Sequence, residues 1–152
     1  MPPKNPLNEK GNYFDVLCQM ASKYLDIGLY FDGYSEVVEK YQKAAITNRD
    51  ESWELAKELN AWSEYCSTVA NYIQNQFLDA ETTKLQVHSE KSIKFSEKNV
   101  SAGERFANTD IDVVKARMKR NALKSLYDSL ISRKDFLDKA FYQCKNNTQQ
   151  VS

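Results

Sequence analysis

Glycine and proline are scarce in this chain: four Gly and three Pro in 152 residues, with Pro2, Pro3 and Pro6 all inside the first eleven. Together with 41% apolar and 28% charged residues, that composition fits a helical protein. Long apolar runs are missing as well. No segment approaches 18 consecutive apolar residues, and residues 1–12 (MPPKNPLNEKGN) lack the apolar stretch of a signal peptide. Neither membrane insertion nor targeting is expected, and the expected location is the cytoplasm. The three cysteines, Cys18, Cys66 and Cys144, are odd in number, widely spaced and at apolar positions of helical patterns. They read as reduced core residues.

Chemistry-bearing motifs are equally sparse. His88 is the single histidine, and there is no Cys-x-x-Cys, no glycine-rich phosphate loop and no Gly-x-Ser-x-Gly. The carboxylate pairs Glu54/Glu58 and Asp135/Asp138 each share a helix face, but the Glu-x-x-His pattern of di-metal helical bundles does not occur. These pairs read as solvated acidic faces. The expectation is a non-enzymatic protein with no catalytic residue, no metal and no cofactor.

What is present is periodicity. From Asp50 to about Lys98 there is no Gly or Pro, and Leu55, Leu59, Trp62, Cys66, Val69, Ile73, Gln76, Ala80, Thr83 and Val87 recur at alternating spacings of four and three. That heptad predicts one long helix needing a partner along its side. At about 1.5 Å per residue it spans roughly 70 Å. Its first half is aromatic (Trp53, Trp62, Tyr65, Tyr72), whereas the seam beyond Gln76 is polar or small.

Around this helix the chain divides as follows. Residues 1–11 are expected as a flexible tail, and residues 12–47 as an acidic helical hairpin. Its first helix starts at Asn12, buries Phe14, Leu17, Cys18, Ala21 and Leu25, and stops at Gly28. Its second starts at Ser35 and carries Tyr34, Val37, Val38, Tyr41, Ala44 and Ala45 to about Ile46, with Ile27 to Phe31 a packed loop between the two. Residues 48–146 form a long antiparallel helical hairpin, capped at Asn48 and Asp50 and reversing over 98–109 around Gly103. The returning helix starts at Thr109, with Asp112 three residues on, and runs to about Cys144. It presents Val113, Ala116, Leu123, Leu126, Leu130, Leu137, Ala140 and Phe141 on one face. Residues 147–152 are a second flexible tail. The fold class is therefore all-α: a coiled-coil-like hairpin with a short N-terminal hairpin packed on it. The seam is Leu55, Leu59, Trp62, Val69 and Ile73 against Leu123, Leu126, Leu130 and Leu137.

A net charge of zero conceals an asymmetry: residues 1–81 sum to −6, 82–126 to +5 and 127–152 to +1. Lys84, His88, Lys91, Lys94 and Lys98 form a stripe on the long helix, with Phe95 beside it. A reversal near Gly103 sets residue 94 against about 114 and residue 84 against about 124, bringing Lys115, Arg117, Lys119, Arg120 and Lys124 level with that stripe. Such a concentration neutralises phosphates and displaces counterions, giving salt-sensitive, sequence-independent binding of nucleic acid. A plainer reading is a charged coat on an exposed helix, with Glu90, Glu97 and Asp112 pairing the cations locally. A third use is self-assembly, the basic end of one subunit meeting the acidic end of the next.

From Asn108 onward, NTDIDVVKARMKRNALKSLYDSLISRKDFLDKA resembles the C-terminal helix of the UvsY-type recombination mediators of large tailed phages. The likeness rests on Asp110 and Asp112 at the helix start, the step Val114–Lys115, the Leu126/Leu130 spacing, and Arg133 followed by Phe136 and Leu137. A long lysine-bearing helix and a short polar turn before it extend the resemblance over about residues 53–141. It implies an accessory protein that binds single-stranded DNA, forms a small closed homo-oligomer and helps a RecA-like recombinase displace single-strand-binding protein. The resemblance places the DNA-contacting cations at Lys84, Lys91, Lys94 and Lys98. The neutral net charge and the acidic first 50 residues depart from the family pattern. The alternative expectation is a structural or scaffolding coiled-coil protein, of a virion or bound to host proteins, acting through protein contacts alone.

Overall fold

The computed structural model describes residues 13–25, 29, 31–43, 49–96 and 99–150, with side chains to 146. Among the described residues it forms helices α1 (Tyr13–Ser22), α2 (Tyr34–Lys43), α3 (Arg49–Phe95), α4 (Val100–Thr109) and α5 (Ile111–Gln150), and no strand. The all-α expectation holds, and the uninterrupted heptad becomes one 47-residue helix. The expectations for residues 1–12, for a stop at Gly28, for Ala44, Ala45, Ile46 and the Asn48 cap, and for residues 151–152, lie outside the described residues. No helix among the described residues is long and apolar enough to cross a membrane.

The chain folds as two units, and α3 and α5 each contribute a stretch to both. Unit 1 comprises Met1–Gly28 and Tyr72–Tyr127; unit 2 comprises Leu29–Asn71 and Asp128–Ser152. The expected N-terminal hairpin is therefore not a unit of its own. The buried positions of α1 (Phe14, Leu17, Ala21) fall in unit 1, while Val37 of α2 joins the core of unit 2.

In unit 2 that core consists of Val37, Leu55, Ala56, Leu59, Cys66, Leu137, Ala140 and Cys144, with Phe31, Tyr34, Val38, Tyr41, Trp62 and Phe141 packed around it. Heptad spacing on α3 and α5 puts these apolar positions on facing stripes, and each fully buried Leu adds about 1.5–3 kcal/mol. An aromatic cluster closes one side. Phe31 stacks on Trp62 with centroids 5.9 Å apart, Tyr34 meets Trp62 edge-on at 5.8 Å, and the Arg133 guanidinium lies 4.1 Å from the Tyr34 centroid. Gly33 enters α2 with φ +89°, in the left-handed region that side chains rarely adopt, and its carbonyl accepts from Val37 N–H at 3.1 Å.

Polar groups in unit 2 are tied down. The buried Ser63 hydroxyl donates to Asp138, and Lys134 Nζ donates to the same carboxylate at 2.6 Å. Burial pushes the Asp138 carboxyl up, but Lys134 and Ser63 outweigh it and hold the group below the usual carboxylate range. Burial also pushes the Cys66 thiol up to about 11, against the opposing charge of Arg133, so it stays protonated at neutral pH. Cys18, Cys66 and Cys144 form no disulfide, with Cys66 and Cys144 buried and Cys18 half-buried.

Unit 1 is built differently. Its buried residues are Phe14, Leu17 and Ala21 of α1, Ile73 and Ala80 of α3, Gly103 and Ala107 of α4, and Val113, Ala122, Leu123 and Leu126 of α5. On α3 the seam weakens as expected after Ile73: Ala80 is buried, Gln76 and Val87 are half-buried, and Thr83 is exposed.

The reversal differs from the expected loop. Asn99, with an extended backbone, accepts Ser101 N–H at 2.9 Å and starts α4, which occupies most of the segment expected as a turn. Gly103 is there for proximity rather than for a turn. A Cβ at this position would lie 2.7 Å from the Ser92 carbonyl oxygen and 2.8 Å from Ser96 Cβ, so only glycine lets α4 lie this close to the end of α3. Asp110 then ends α4, its N–H donating to the Ala107 carbonyl, and starts α5, its carboxylate accepting from Asp112 N–H at 2.9 Å. The start of the returning helix therefore moves from Thr109 to Asp110–Ile111. The Thr109 hydroxyl instead donates back to the Phe106 carbonyl. At the far end α5 continues to Gln150, past the boundary expected at 146.

Candidate nucleic-acid interface

Unit 1 carries 13 Lys and Arg against 10 Asp and Glu, a net of +3, and unit 2 carries 8 against 11, a net of −3. The basic residues singled out from the sequence all fall in unit 1. Their register follows from α4. Lys91 meets Asp112 at 3.2 Å and Asp110 at 3.6 Å, Arg120 meets Glu81, and the Phe77 and Tyr127 rings stack at 6.3 Å. Residue 84 is thus level with about 117 rather than 124. Helix α4, and not a loop around Gly103, joins α3 to α5, and the pairings are shifted by about two helical turns.

That register sorts the cations by what they face. Lys84 and Arg120 share Glu81, with Lys84 Nζ at 3.5 Å, and the Arg120 guanidinium also lies 5.6 Å from the Phe77 centroid. The hydrogen bond from Arg120 holds the Glu81 carboxyl below its usual range. Lys91 bridges to both acids of the α4–α5 joint, and the hydrogen bond to Asp112, followed by the charge of Asp110, raises its ammonium pKa. These three side chains lie along the α3–α5 seam, with their charge met by carboxylates. They are the least available members of the expected stripe.

Others remain available. Lys94, Lys115 and Lys119 are exposed, and no carboxylate among the described residues pairs with them. Arg117 donates to the carbonyl and side-chain oxygens of Asn108 at 3.3 and 3.4 Å, bridging the α4 C-terminus to α5. With Lys84, Leu85, His88, Asn108 and Val113 it lines a cavity of about 200 Å³. Lys124 is half-buried on α5, and Lys98 lies outside the described residues. The structure therefore gathers Lys84, His88 and Arg117 around one depression. It leaves Lys115 and Lys119 on the outer side of α5 and Lys94 at the end of α3.

Sequence reading named Asp112 among the acids that pair the cations, and Lys91 does meet it, but it missed Asn108, Glu81 and Asp110. Glu81 lies three residues before Lys84, a spacing at which helical pairs form, so that contact was legible. The contact of Lys91 with Asp110 and Asp112 depends on the tertiary register and was not. Phe106, whose ring lies 6.3 Å from that of Phe95, was also passed over, although it stands alone among polar neighbours in GERFANT.

In unit 2, a cavity of about 490 Å³ is lined by Lys40, Asp50, Glu51, Glu54, Leu55 and Glu58. Its carboxylates include Glu54, paired with Lys57 at 2.9 Å, and Glu58, paired with Lys40 at 3.4 Å. Asp138, considered with Asp135 as a metal-type pair, is engaged by Ser63 and Lys134. Among the described residues no group of three or more His, Cys, Asp or Glu is placed to hold a metal ion. Compared with protein-family models, with curated proteins and with solved structures, the chain matches none.

Proposed function

We propose that this chain is a non-enzymatic DNA-recombination accessory protein of the mediator type. In this reading it self-associates, binds single-stranded DNA through the basic face of unit 1, and assists loading of a RecA-like recombinase against single-strand-binding protein. The observation that carries the reading is the set of cations in unit 1 without a carboxylate partner among the described residues: Lys94, Lys115 and Lys119, with Arg117 and His88 at the adjoining depression. Ammonium and guanidinium groups held on rigid helices and not neutralised locally release counterions when phosphates take their place. The resemblance over residues 53–141 supplies the recombination context.

Labelled oligo(dT) tests the DNA-binding step. Affinity is expected to fall steeply with salt, and Lys94→Gln, Lys115→Gln and Lys119→Gln together to weaken binding and flatten the log–log salt slope by about 2, at about 0.7 per single-strand phosphate contact. Lys91→Gln acts chiefly on the α4–α5 joint and is expected to alter stability more than the slope. No binding at low salt sinks the reading. A scaffolding role through protein contacts alone is favoured by Leu78, Leu85 and Ile93, which are large, apolar and exposed on α3. Light scattering that shows a defined assembly with no affinity for oligo(dT) would establish it.

A further inference from the structure

Where α3 gives way to α4, two phenylalanines are left uncovered. Phe106 is 61% exposed and Phe95 37%. Their ring centroids are 6.3 Å apart and their planes tilted by 57°. Neither ring stands on a loop. Gly103, less than one turn before Phe106, seats α4 against Ser92 and Ser96, and Asn99 fixes where that helix begins. Rings on packed helices present their faces at little entropic cost to a ligand.

Two cations stand beside the rings. Lys94 Nζ lies 5.8 Å from the Phe95 centroid, and Arg105, the neighbour of Phe106, is exposed. Neither cation has a carboxylate partner among the described residues, although Glu90 and Glu104 are exposed on the same stretch.

We infer that Phe106, with Phe95 behind it, is a stacking surface for unpaired bases. This rests on the DNA-binding reading and extends it, because phosphate contacts alone do not separate a single strand from a duplex. Aromatic faces rimmed by Lys and Arg complement a strand that alternates exposed bases with phosphates, whereas a duplex hides its base faces. The rings do not form a slot. A base held between two of them needs parallel planes, and these are tilted by 57°. Bases therefore stack on the outward face of Phe106, and Lys94 and Arg105 take the adjoining phosphates. Ile93, Val100 and Ile111 are also exposed on these segments, and they make a second copy of the chain the rival occupant.

Two ligands with the same phosphates separate these outcomes: labelled oligo(dT) and an abasic strand of equal length, each titrated at low salt into the full chain and into Phe106→Ala. Stacking predicts that the parent prefers oligo(dT) by roughly 5- to 100-fold. Phe106→Ala loses that preference while keeping its affinity for the abasic strand, and Phe106→Tyr restores it. Circular dichroism of Phe106→Ala matching the parent shows that the exposed ring was not holding α4 in place. Equal affinity of the parent for both strands overturns the stacking surface and leaves phosphate binding standing. No binding of either strand removes the DNA reading and this inference with it. Unchanged DNA binding by Phe106→Ala, with a lower mass by light scattering, overturns the inference and assigns the face to a second copy.

Discussion

Unit 2 is held by rings and branched aliphatics: Leu55, Leu59 and Leu137 are buried under the Phe31–Trp62–Tyr34 cluster. The α3 seam in unit 1 offers Ala80, Gln76 and Thr83 instead, and its helices are joined by the bridges of Glu81 and Lys91 and by the close approach at Gly103. Along α3 that difference in chemistry is a difference in strength. A buried Leu contributes about 1.5–3 kcal/mol, whereas an exposed ion pair contributes about 0–1 kcal/mol. Unit 1 has a packed core of its own in Phe14, Leu17, Ile73, Val113, Leu123 and Leu126, and it adds ion pairs where the α3 seam thins after Ile73.

The largest expected effect falls on unit 2. Leu59→Ala, at a fully buried position, should cost about 2–5 kcal/mol in urea denaturation; a cost below 1 kcal/mol would show that Leu59 is not an anchor of this core. Gly103→Ala comes next. A methyl group 2.7 Å from the Ser92 carbonyl must push α4 away, at about 1–3 kcal/mol, with faster hydrogen exchange across 92–110 than across 55–66. Equal changes in both segments would show that α4 is not separately seated.

The smallest effect is the pH response. Asp138 in unit 2 and Glu81 in unit 1 both titrate below the usual carboxylate range. Their contributions are therefore fully present above the unfolded values of about 4 and are lost as pH falls through the lower folded values. Lys91 and Lys134 are raised, so their contributions persist at neutral pH and are lost only as pH rises through values above that of an ordinary lysine. The melting temperature should be flat around neutrality and fall below about pH 4, and Asp138→Asn should flatten the acid limb. An acid limb unchanged in Asp138→Asn would mean that other carboxylates dominate it.

Much of the fold was legible because heptad spacing translates directly into a buried stripe. Of the residues marked by spacing, Leu55, Leu59, Val69, Ile73, Leu123, Leu126, Leu130 and Leu137 are buried, while Trp62, marked with them, is half-buried against the core of unit 2. Gly103 was misread because glycine serves two ends, a left-handed turn and a close helix contact, and local sequence does not distinguish them. Read as a turn it makes 100–109 a loop, whereas Asn99 caps a helix there and Gly103 only lets that helix pack closely on the end of α3. The register across the hairpin depends on α4, and so does the set of cations that meet carboxylates.

By itself the sequence determined the helical class, one long helix from about residue 50, the change from an aromatic to a small-residue seam, and the concentration of positive charge after residue 82. These are properties of composition and of a 3.6-residue period, so they survive without knowledge of any neighbour. Only the tertiary structure decided that Lys91 belongs to Asp110 and Asp112 while Lys115 and Lys119 face outward, that α1 and α2 serve different units, and that Phe106 stands beside Phe95 uncovered. Each of those depends on which residues from distant parts of the chain come within a few ångströms, and that is set by packing between helices rather than along one.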